Sequence, residues 1–244
     1  MMSKVFVTGD THGSYDFDKL VEFRDKFGDQ LTKDDYVIIA GDFGVVWTNV
    51  PDEEEKFLLK WLDKSPWTTL FIDGNHENHP RLAEYPEVEL LGGRAHQISK
   101  TVYHIMRGEV IEIEDLKILC MGGADSHDKP FRKEGESWWA QERITEEDIK
   151  NAKKNLSRHN FTVDFVISHS LPRIIQFKIF PYMKPNRSSY LLEEIYYNVD
   201  INQAWITGHY HEDMTRTEEG ICFRLIHENI IMLYTKEGSK YEKL

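Results

Sequence analysis

The side chains in this sequence that could do chemistry follow short apolar runs. Five such runs are each followed closely by aspartate, asparagine or histidine. In chain order these side chains are Asp10, His12, Asp42, Asn75, His169, His209 and His211. Their oxygen and nitrogen donors suit divalent cations such as manganese, iron or zinc. Seven donors exceed what one tetrahedral ion needs, so the set predicts a site for two ions.

The apolar runs that position these residues are predicted strands. They are Lys4–Thr8, Tyr36–Ala40, Thr68–Ile72, Phe165–Ser168 and Gln203–Thr207. Ligands in open α/β sheets collect beyond the carboxyl ends of strands, so we expect one shared pocket. Any one of these side chains alone could be a turn former or a surface residue. Their joint order at five strand ends favours a common site.

Glycines strengthen this interpretation, because one stands immediately before a candidate ligand at four of the strand ends. They are Gly9, Gly41, Gly74 and Gly208. A glycine there permits a sharp turn and close approach of neighbouring backbones. Within Asp10–His12 and His209–His211, residues two apart point the same way in an extended segment. Each pair can therefore face one pocket.

Helices are predicted between the strands. Phe17–Phe27 has amphipathic spacing, with Asp16 as a candidate cap. Proline and acidic residues at Pro51–Glu55 favour a second helix start. A capping box at Thr145 starts a third helix that runs to about Leu156, and a fourth covers Ser189–Tyr197.

The middle and the end of the chain are rich in strands. The predicted strands are Val102–Arg107, Val110–Ile113 and Lys117–Met121, joined consecutively by turns at Gly108 and Asp115, with more between Met214 and Leu233. Alternating strands and helices together with a run of adjacent strands predict an α/β protein with more than one sheet layer. A chain of this length is expected to form one domain over residues 1–244.

Composition limits the partners. Thirty basic and 42 acidic side chains give a net charge of −12, which repels polyanions and disfavours long nucleic acid. Bound metal ions can invert the potential locally, so a phosphate substrate stays compatible with this charge. No apolar run reaches the length of about 18 residues that suggests a membrane span. Residues 1–7 lack a signal-peptide pattern, and Cys120 and Cys222 are expected to be free thiols, so a cytoplasmic location is expected.

The ordered segments resemble the calcineurin-like metallophosphoesterase family. The family signature is D-x-H, G-D, G-N-H-[DE], H and G-H-x-H. It is matched here by Asp10–His12, Gly41-Asp42, Gly74–Glu77, His169 and Gly208–His211. The resemblance implies a four-layer α/β/β/α sandwich with two central mixed sheets. It also implies ligand sets: Asp10, His12 and His211 for one ion, Asn75, His169 and His209 for the other, and Asp42 bridging both.

The predicted activity is metal-dependent hydrolysis of phosphate monoesters or diesters of small molecules or nucleotides. Two cations, with manganese expected and iron or zinc as alternatives, would activate water for attack on phosphorus. His76 lies beside Asn75 but outside the ligand set. It is therefore predicted to protonate the leaving alkoxide, which the resemblance also implies, and a supporting role alone is the alternative.

Two other functions remain open at this stage. The first is a nuclease or nucleic-acid phosphatase that uses the same site. The second is a noncatalytic module in which the metals are structural, although such a site would need neither an open coordination position nor an acid. Related protein Ser/Thr phosphatases carry G-D-x-V-D-R-G, and that arginine is absent after Asp42, so a phosphoprotein substrate is disfavoured. No segment of the sequence stands out as a binding site for a protein partner, so such a partner stays unknown.

A polar segment that follows the predicted strand Lys117–Met121 supplies candidate substrate contacts. It resembles a loop of small bacterial and phage members of the family. We predict that Arg132, with Lys129 or His127, contacts the phosphate, whereas a solvated charged run is the alternative. Trp138 and Trp139 could stack on a substrate ring, but core packing is favoured.

Overall fold

The computed structural model describes residues 2–234, and its strands form two sheets. The seven strands of the first sheet are β1 (Val5–Thr8), β2 (Tyr36–Ala40), β3 (Thr68–Ile72), β4 (Glu87–Leu90), β5 (Gly93–Gln97), β6 (Val102–Ile105) and β13 (Ile230–Leu233). The six strands of the second are β7 (Glu109–Ile113), β8 (Leu116–Met121), β9 (Thr162–Ser168), β10 (Asp200–Thr207), β11 (Met214–Glu218) and β12 (Ile221–Leu225).

Each sheet has a parallel centre with antiparallel strands at its edges. The first sheet has the order β13-β1-β2-β3-β6-β5-β4, and its parallel centre runs from β1 to β6. The second has the order β11-β12-β10-β9-β8-β7, with β12 to β8 parallel. Because parallel strands end at the same edge, each sheet gathers several strand ends in one place.

Six helices accompany the sheets. They are α1 (Asp18–Phe27), α2 (Glu53–Lys64), α3 (His79–Leu82), α4 (Glu146–Ser157), α5 (Arg173–Ile179) and α6 (Arg187–Tyr196). None of the helices within residues 2–234 combines the length and the hydropathy needed to cross a bilayer.

Three apolar clusters divide the molecule into four layers. Leu20 of α1 and Leu58 of α2 pack on the outer face of the first sheet. Ile149 of α4 and Leu192 of α6 pack on the outer face of the second. The third cluster fills the space between the sheets with side chains from both. The predicted α/β fold with two mixed sheets and flanking helices is therefore confirmed.

Local capping explains where two helices begin. Asp52 accepts a hydrogen bond from the Glu55 N–H at the start of α2, and Thr145 starts α4 with the predicted capping box. The predicted cap of α1 is wrong: α1 has no side-chain cap. Asp16 instead lies 2.7 Å from Nδ1 of His12, which makes it part of the candidate site.

The predicted succession of three adjacent strands is also wrong in part. β6 belongs to the first sheet and β7 to the second, so the chain changes sheets at Arg107-Gly108. Gly108 has a φ of +79°, and a Cβ there would lie 2.6 Å from the amide nitrogen of Ala152 in α4. The β4–β5 hairpin and α5 are elements that the sequence pattern did not reveal. Cys120 and Cys222 are free thiols, as expected.

Candidate active site

Strand ends from both sheets meet at one place. The first sheet contributes residues after β1, β2 and β3, and the second contributes residues after β9 and β10. The structure brings the candidate ligands from both sheets close together there, namely Asp10, His12, Asp42, Asn75, His169, His209 and His211.

Asp42 lies at the centre of this group. Its Oδ2 is 3.3 Å from Nε2 of His12, which belongs to the first sheet, and its Oδ1 is 3.2 Å from Nε2 of His169, which belongs to the second. Oδ1 also accepts hydrogen bonds from the backbone N–H groups of Asn75 (2.7 Å) and His76 (2.8 Å). The carboxylate is therefore held in one orientation between the two sheets.

Asp10 forms the second anionic point of the group and is fully buried. Its Oδ2 lies 3.2 Å from Nε2 of His211. Both carboxylate oxygens accept from the backbone N–H of His209 at 3.1 Å. These hydrogen bonds thus link the turn after β10 to the turn after β1.

Close packing explains two of the glycines before the ligands. A Cβ at Gly208 would lie 2.2 Å from Oδ1 of Asp10, and one at Gly74 would lie 2.1 Å from Oδ1 of Asp42. Real Cβ atoms do not approach other atoms this closely. Any larger residue at these positions would displace the carboxylates.

The two carboxylates are surrounded by histidines, and neither forms an ion pair with a lysine or arginine within residues 2–234. Burial opposes charge on His169, yet Asp42 and Asp10 raise the pKa of His169 to about 10. Burial likewise opposes charge on His12, yet Asp42 and Asp16 raise its pKa to about 9. Burial alone would raise the pKa of Asp42, but His169 and His12 hold it well below its usual range. The cluster therefore attracts positive charge.

Unpaired buried atoms test whether divalent cations fit this cluster. Asn75 Oδ1 is buried and hydrogen-bonds to no group among residues 2–234, and the buried Nε2 of His169 faces Oδ1 of Asp42 at 3.2 Å. Nδ1 of His169 lies 2.8 Å from the carbonyl oxygen of Ala40 and donates to it, so Nε2 is the nitrogen that would release its proton and bind a cation. Asp16 orients His12 in the same way through Nδ1. Metal-binding histidines are commonly oriented by such outer hydrogen bonds, so these residues fit metal ions.

Donor spacing agrees with that result. The donor atoms of Asp42, His169 and His209 lie within 4.8 Å of one another, as do those of Asp42, His12 and His76. Asp42 is common to both groups, so its carboxylate would be available to an ion bound by either of them.

His76 lies beside this cluster with restricted freedom. Its ring stacks on Trp47, with centroids 5.5 Å apart and planes at 21°, and meets the ring of His12 edge-on at 4.8 Å. Nε2 accepts a hydrogen bond from Nη2 of Arg132 at 2.9 Å. Burial and then the charge of Arg132 lower the pKa of His76, which keeps the ring neutral in this arrangement.

The three predicted phosphate contacts have different surroundings. Arg132 reaches His76, and its Nε also donates to Asp128 at 2.8 Å. The exposed His127 ring lies 5.7 Å from that of His209, at the edge of the cluster. Lys129 is instead held by two carboxylates, at 3.2 Å from Asp125 and 2.9 Å from Glu142. Arg132 and His127 are therefore next to the candidate ligands, whereas Lys129 is engaged elsewhere.

The tryptophan pair divides in the same way. Trp139 is 4% exposed and its ring meets that of Trp47 edge-on at 5.1 Å, which is core packing. Trp138 lies under Lys129, whose Nζ is 5.2 Å from the centre of a Trp138 ring.

Sequence reasoning missed two residues of the site that have an identifiable signal. The donor atom of His227 lies within 4.8 Å of those of Asp10 and His211, and its ring stacks on His211 at 4.6 Å. His227 follows β12 by two residues, so it carries the same strand-end pattern as the predicted ligands. Glu77 accepts from the Gly74 N–H at 2.6 Å and shapes the turn, and burial raises its pKa to about 8.

A buried ion pair lies directly behind this turn. The Asp73 carboxylate, 2% exposed, accepts from Nε of Arg107 at 2.9 Å. The same guanidinium donates to the carbonyl oxygens of Gln141 (2.9 Å), Glu142 (3.0 Å) and Arg143 (2.7 Å). One arginine thus links the strand end that carries Asn75 and His76 to the segment that carries Arg132.

Comparison with known proteins agrees with this geometry. The family described as Calcineurin-like phosphoesterase matches residues 3–213, and no curated protein matches the chain. One similar solved structure is GAP50, described as the anchor in the inner membrane complex of Plasmodium. It is 10% identical, with a TM-score of 0.54 over 99% of this chain and 88% of that one.

Two other solved structures are similar to this chain. A candidate 5'-nucleotidase from Staphylococcus aureus, solved with alpha-ketoglutarate, is 14% identical with a TM-score of 0.51, over 99% of this chain. This chain spans 52% of the length of that protein. An archaeal phosphodiesterase is 16% identical with a TM-score of 0.44, over 99% of this chain and 98% of that one. At these identities the likeness concerns the fold alone.

Proposed function

Because this chain belongs to the calcineurin-like phosphoesterase family, we propose that it hydrolyses phosphate monoesters or diesters with two divalent cations. The observation that supports this most directly is Asp42, which lies between histidines of the two sheets at 3.3 and 3.2 Å. Manganese is the proposed ion, with iron or zinc as alternatives for the same oxygen and nitrogen donors.

The proposed ligand sets follow the two sides of Asp42. Asp10, His12 and His211 would hold one ion, and Asn75, His169 and His209 the other, with Asp42 shared. His227 is a further candidate beside the first set, since it lies close to both Asp10 and His211. When bound, such a pair of ions lowers the pKa of water and neutralises charge that grows on the phosphate oxygens.

His76 is proposed as the general acid for the leaving group. Its ring is fixed between Trp47 and His12, so it needs little reorganisation to reach an ester oxygen beside the cluster. Arg132 now donates to its Nε2. A phosphate that binds Arg132 would take over that hydrogen bond, and its negative charge would favour the protonated imidazole.

His76 and Arg132 should be distinguishable by the leaving group. We expect His76→Asn to slow hydrolysis of an alkyl phosphate by about 10²- to 10⁴-fold, the usual contribution of a general acid. The loss should be much smaller for p-nitrophenyl phosphate, whose phenolate leaves without a proton. Arg132→Met should raise KM for both substrates alike, by about tenfold or more, because it removes a charge-assisted hydrogen bond. Steady-state kinetics on both esters measure these effects.

A surface arginine provides the control for this pair. Arg216 is exposed on β11, and Arg216→Met should leave kcat and KM unchanged for both esters. If His76→Asn slowed hydrolysis of the two esters equally, the general-acid role would be contradicted. Unchanged kinetic constants in Arg132→Met would remove the phosphate contact.

One substrate panel tests the proposed function as a whole. The protein is assayed with Mn²⁺, with excess chelator, and with Mn²⁺ restored, against a monoester, a diester and a labelled short oligonucleotide. We expect turnover of a small ester that disappears with the chelator and returns with Mn²⁺. Fastest cleavage of the oligonucleotide would instead indicate a nuclease or nucleic-acid phosphatase, which the charge of −12 disfavours.

A noncatalytic module is the remaining alternative. One protein of this fold is described as an anchor rather than as an enzyme. Full metal content without turnover of any ester in the panel would favour such a role and contradict the proposal. The orphaned Asn75 Oδ1 and the restrained His76 ring favour the enzyme.

A further inference from the structure

A cavity of about 670 Å³ opens directly onto the candidate site. His12, His76 and His211 form the part of its wall that adjoins the metal cluster. A phosphate bound at that cluster would direct one of its ester groups into this space. The lining of the cavity therefore selects what is attached to the phosphate.

Apart from its histidines, the charged side chains of this lining are all acidic. They are Asp16, Asp52, Glu54 and Glu55, and no lysine or arginine among residues 2–234 lines the cavity. A second phosphate or a carboxylate in this space would face like charges on several sides. Repulsion between like charges therefore disfavours an anionic group in this space.

Three of these carboxylates already have partners. Asp16 contacts His12, Asp52 accepts from the N–H of Glu55, and Glu55 pairs with Arg81 at 2.7 Å. Glu54 is different, since within the described part of the chain its carboxylate has neither a hydrogen bond nor an ion pair. A Cβ built on Gly13 would lie 3.6 Å from Oε1 of Glu54, which places this carboxylate next to the residue after His12.

Aromatic rings complete the wall. Tyr15 lines the cavity and is 89% exposed, and Trp47 lines it beside His76. Electron-rich rings combined with carboxylates attract organic ammonium groups by cation–π and Coulomb interactions. The lining thus combines carboxylates and aromatic surface, with no lysine or arginine among residues 2–234.

We propose that the cavity binds a cationic alkyl group, and that the substrate is a phosphate ester of an amino alcohol. Glu54 is the residue that determines this specificity, and Tyr15 and Trp47 provide the aromatic surface. This inference rests on the proposed phosphoesterase function, because it concerns the group joined to the phosphate. A neutral nucleoside would fill the space without using the charge of Glu54.

Two isosteric substrates test the proposal. Phosphocholine and 3,3-dimethylbutyl phosphate have nearly the same shape, but only the first has a positively charged leaving group. We expect kcat/KM with Mn²⁺ to favour phosphocholine by about tenfold or more, the scale of a cation–π contact with a carboxylate nearby. Should the panel rank diesters first, the methyl diesters of the same two alcohols replace them.

A matched pair of variants assigns the preference to Glu54. Glu54→Gln should reduce the ratio of the two kcat/KM values towards one. Glu53→Gln should leave the ratio unchanged, since Glu53 is exposed, pairs with Lys56 and does not line the cavity. A ratio near one in the natural sequence, a faster nucleoside monophosphate, or equal effects of the two variants would each overturn the proposal.

A reference substrate separates this inference from the proposed function. Hydrolysis of p-nitrophenyl phosphate with Mn²⁺, combined with no preference between the isosteres, would overturn the cationic specificity and leave the phosphoesterase intact. Absence of turnover on every ester would count against the phosphoesterase itself.

Discussion

Asp42→Asn is expected to lower kcat/KM for the best phosphate ester by roughly 10²- to 10³-fold or more. A catalytic metal ion contributes several kcal/mol of charge stabilisation, and each 1.4 kcal/mol or so corresponds to tenfold in rate. The asparagine oxygen can keep the hydrogen bonds from the N–H groups of Asn75 and His76. Its amide group, however, would face Nε2 of His12 in place of the charged Oδ2. The fold is therefore retained while the shared anionic ligand is lost.

Metal content and rate should be measured together on this variant. We expect Asp42→Asn to bind less Mn²⁺ at equal free concentration and to unfold at a temperature similar to that of the parent in chelator. Asp29→Asn, at an exposed aspartate, is the matched control and should change neither property. A variant at Asp42 with full metal content and a rate within tenfold of the parent would contradict the bridging role.

The second large effect concerns stability. Arg107→Met should reduce the free energy of unfolding by about 3–5 kcal/mol, because it leaves the Asp73 carboxylate buried without its counter-ion. It also removes the donors to the carbonyl oxygens of residues 141–143. Of these groups, the carbonyl oxygen of the buried Glu142 loses a donor that water replaces least easily, whereas Gln141 and Arg143 are exposed. Urea denaturation provides the measurement.

Two further variants help to explain the reduced free energy of unfolding of Arg107→Met. Arg216→Met removes an exposed arginine and should stay within about 0.5 kcal/mol of the parent. Adding Asp73→Asn to Arg107→Met should recover part of the stability, since no unpaired charge then remains buried. A cost below about 1 kcal/mol for Arg107→Met, or a double variant less stable than the single one, would show that the pair does not act as described.

The sequence predicted most of the fold and of the candidate site where the relevant pattern is local. The apolar runs before Asp10, Asp42 and Asn75 form strands that are buried on both faces of the sheet. One face packs on the second sheet and the other on helices, so a continuous apolar run suits these strands. The capping box at Thr145 was recognisable because its two hydrogen bonds span only three residues. Local chemistry of this kind is readable without knowledge of the fold.

Side-chain contacts that secondary-structure patterns do not encode account for the differences between expectation and structure. Asp16 has the spacing of a cap, but a histidine brought within 2.7 Å by the turn after β1 takes its carboxylate instead. Lys129 pairs with Asp125 and Glu142, which the sequence pattern did not indicate, and its contact with a phosphate stays a prediction. The separation of β6 from β7 depends on packing against α4, which no pattern around Gly108 reveals.

The apolar layer between the two sheets has a mechanical consequence for the chemistry. Asp42 is carried by one sheet and His169 by the other, and side chains such as Leu70 and Ile118 occupy the gap between them. Protein interiors are packed almost as densely as organic crystals and compress little, so this layer acts as a spacer of fixed thickness. A methylene group added to a side chain of this layer, far from any candidate ligand, would increase the separation of the two sheets. It would thereby change the distance between Asp42 and His169 and slow the reaction.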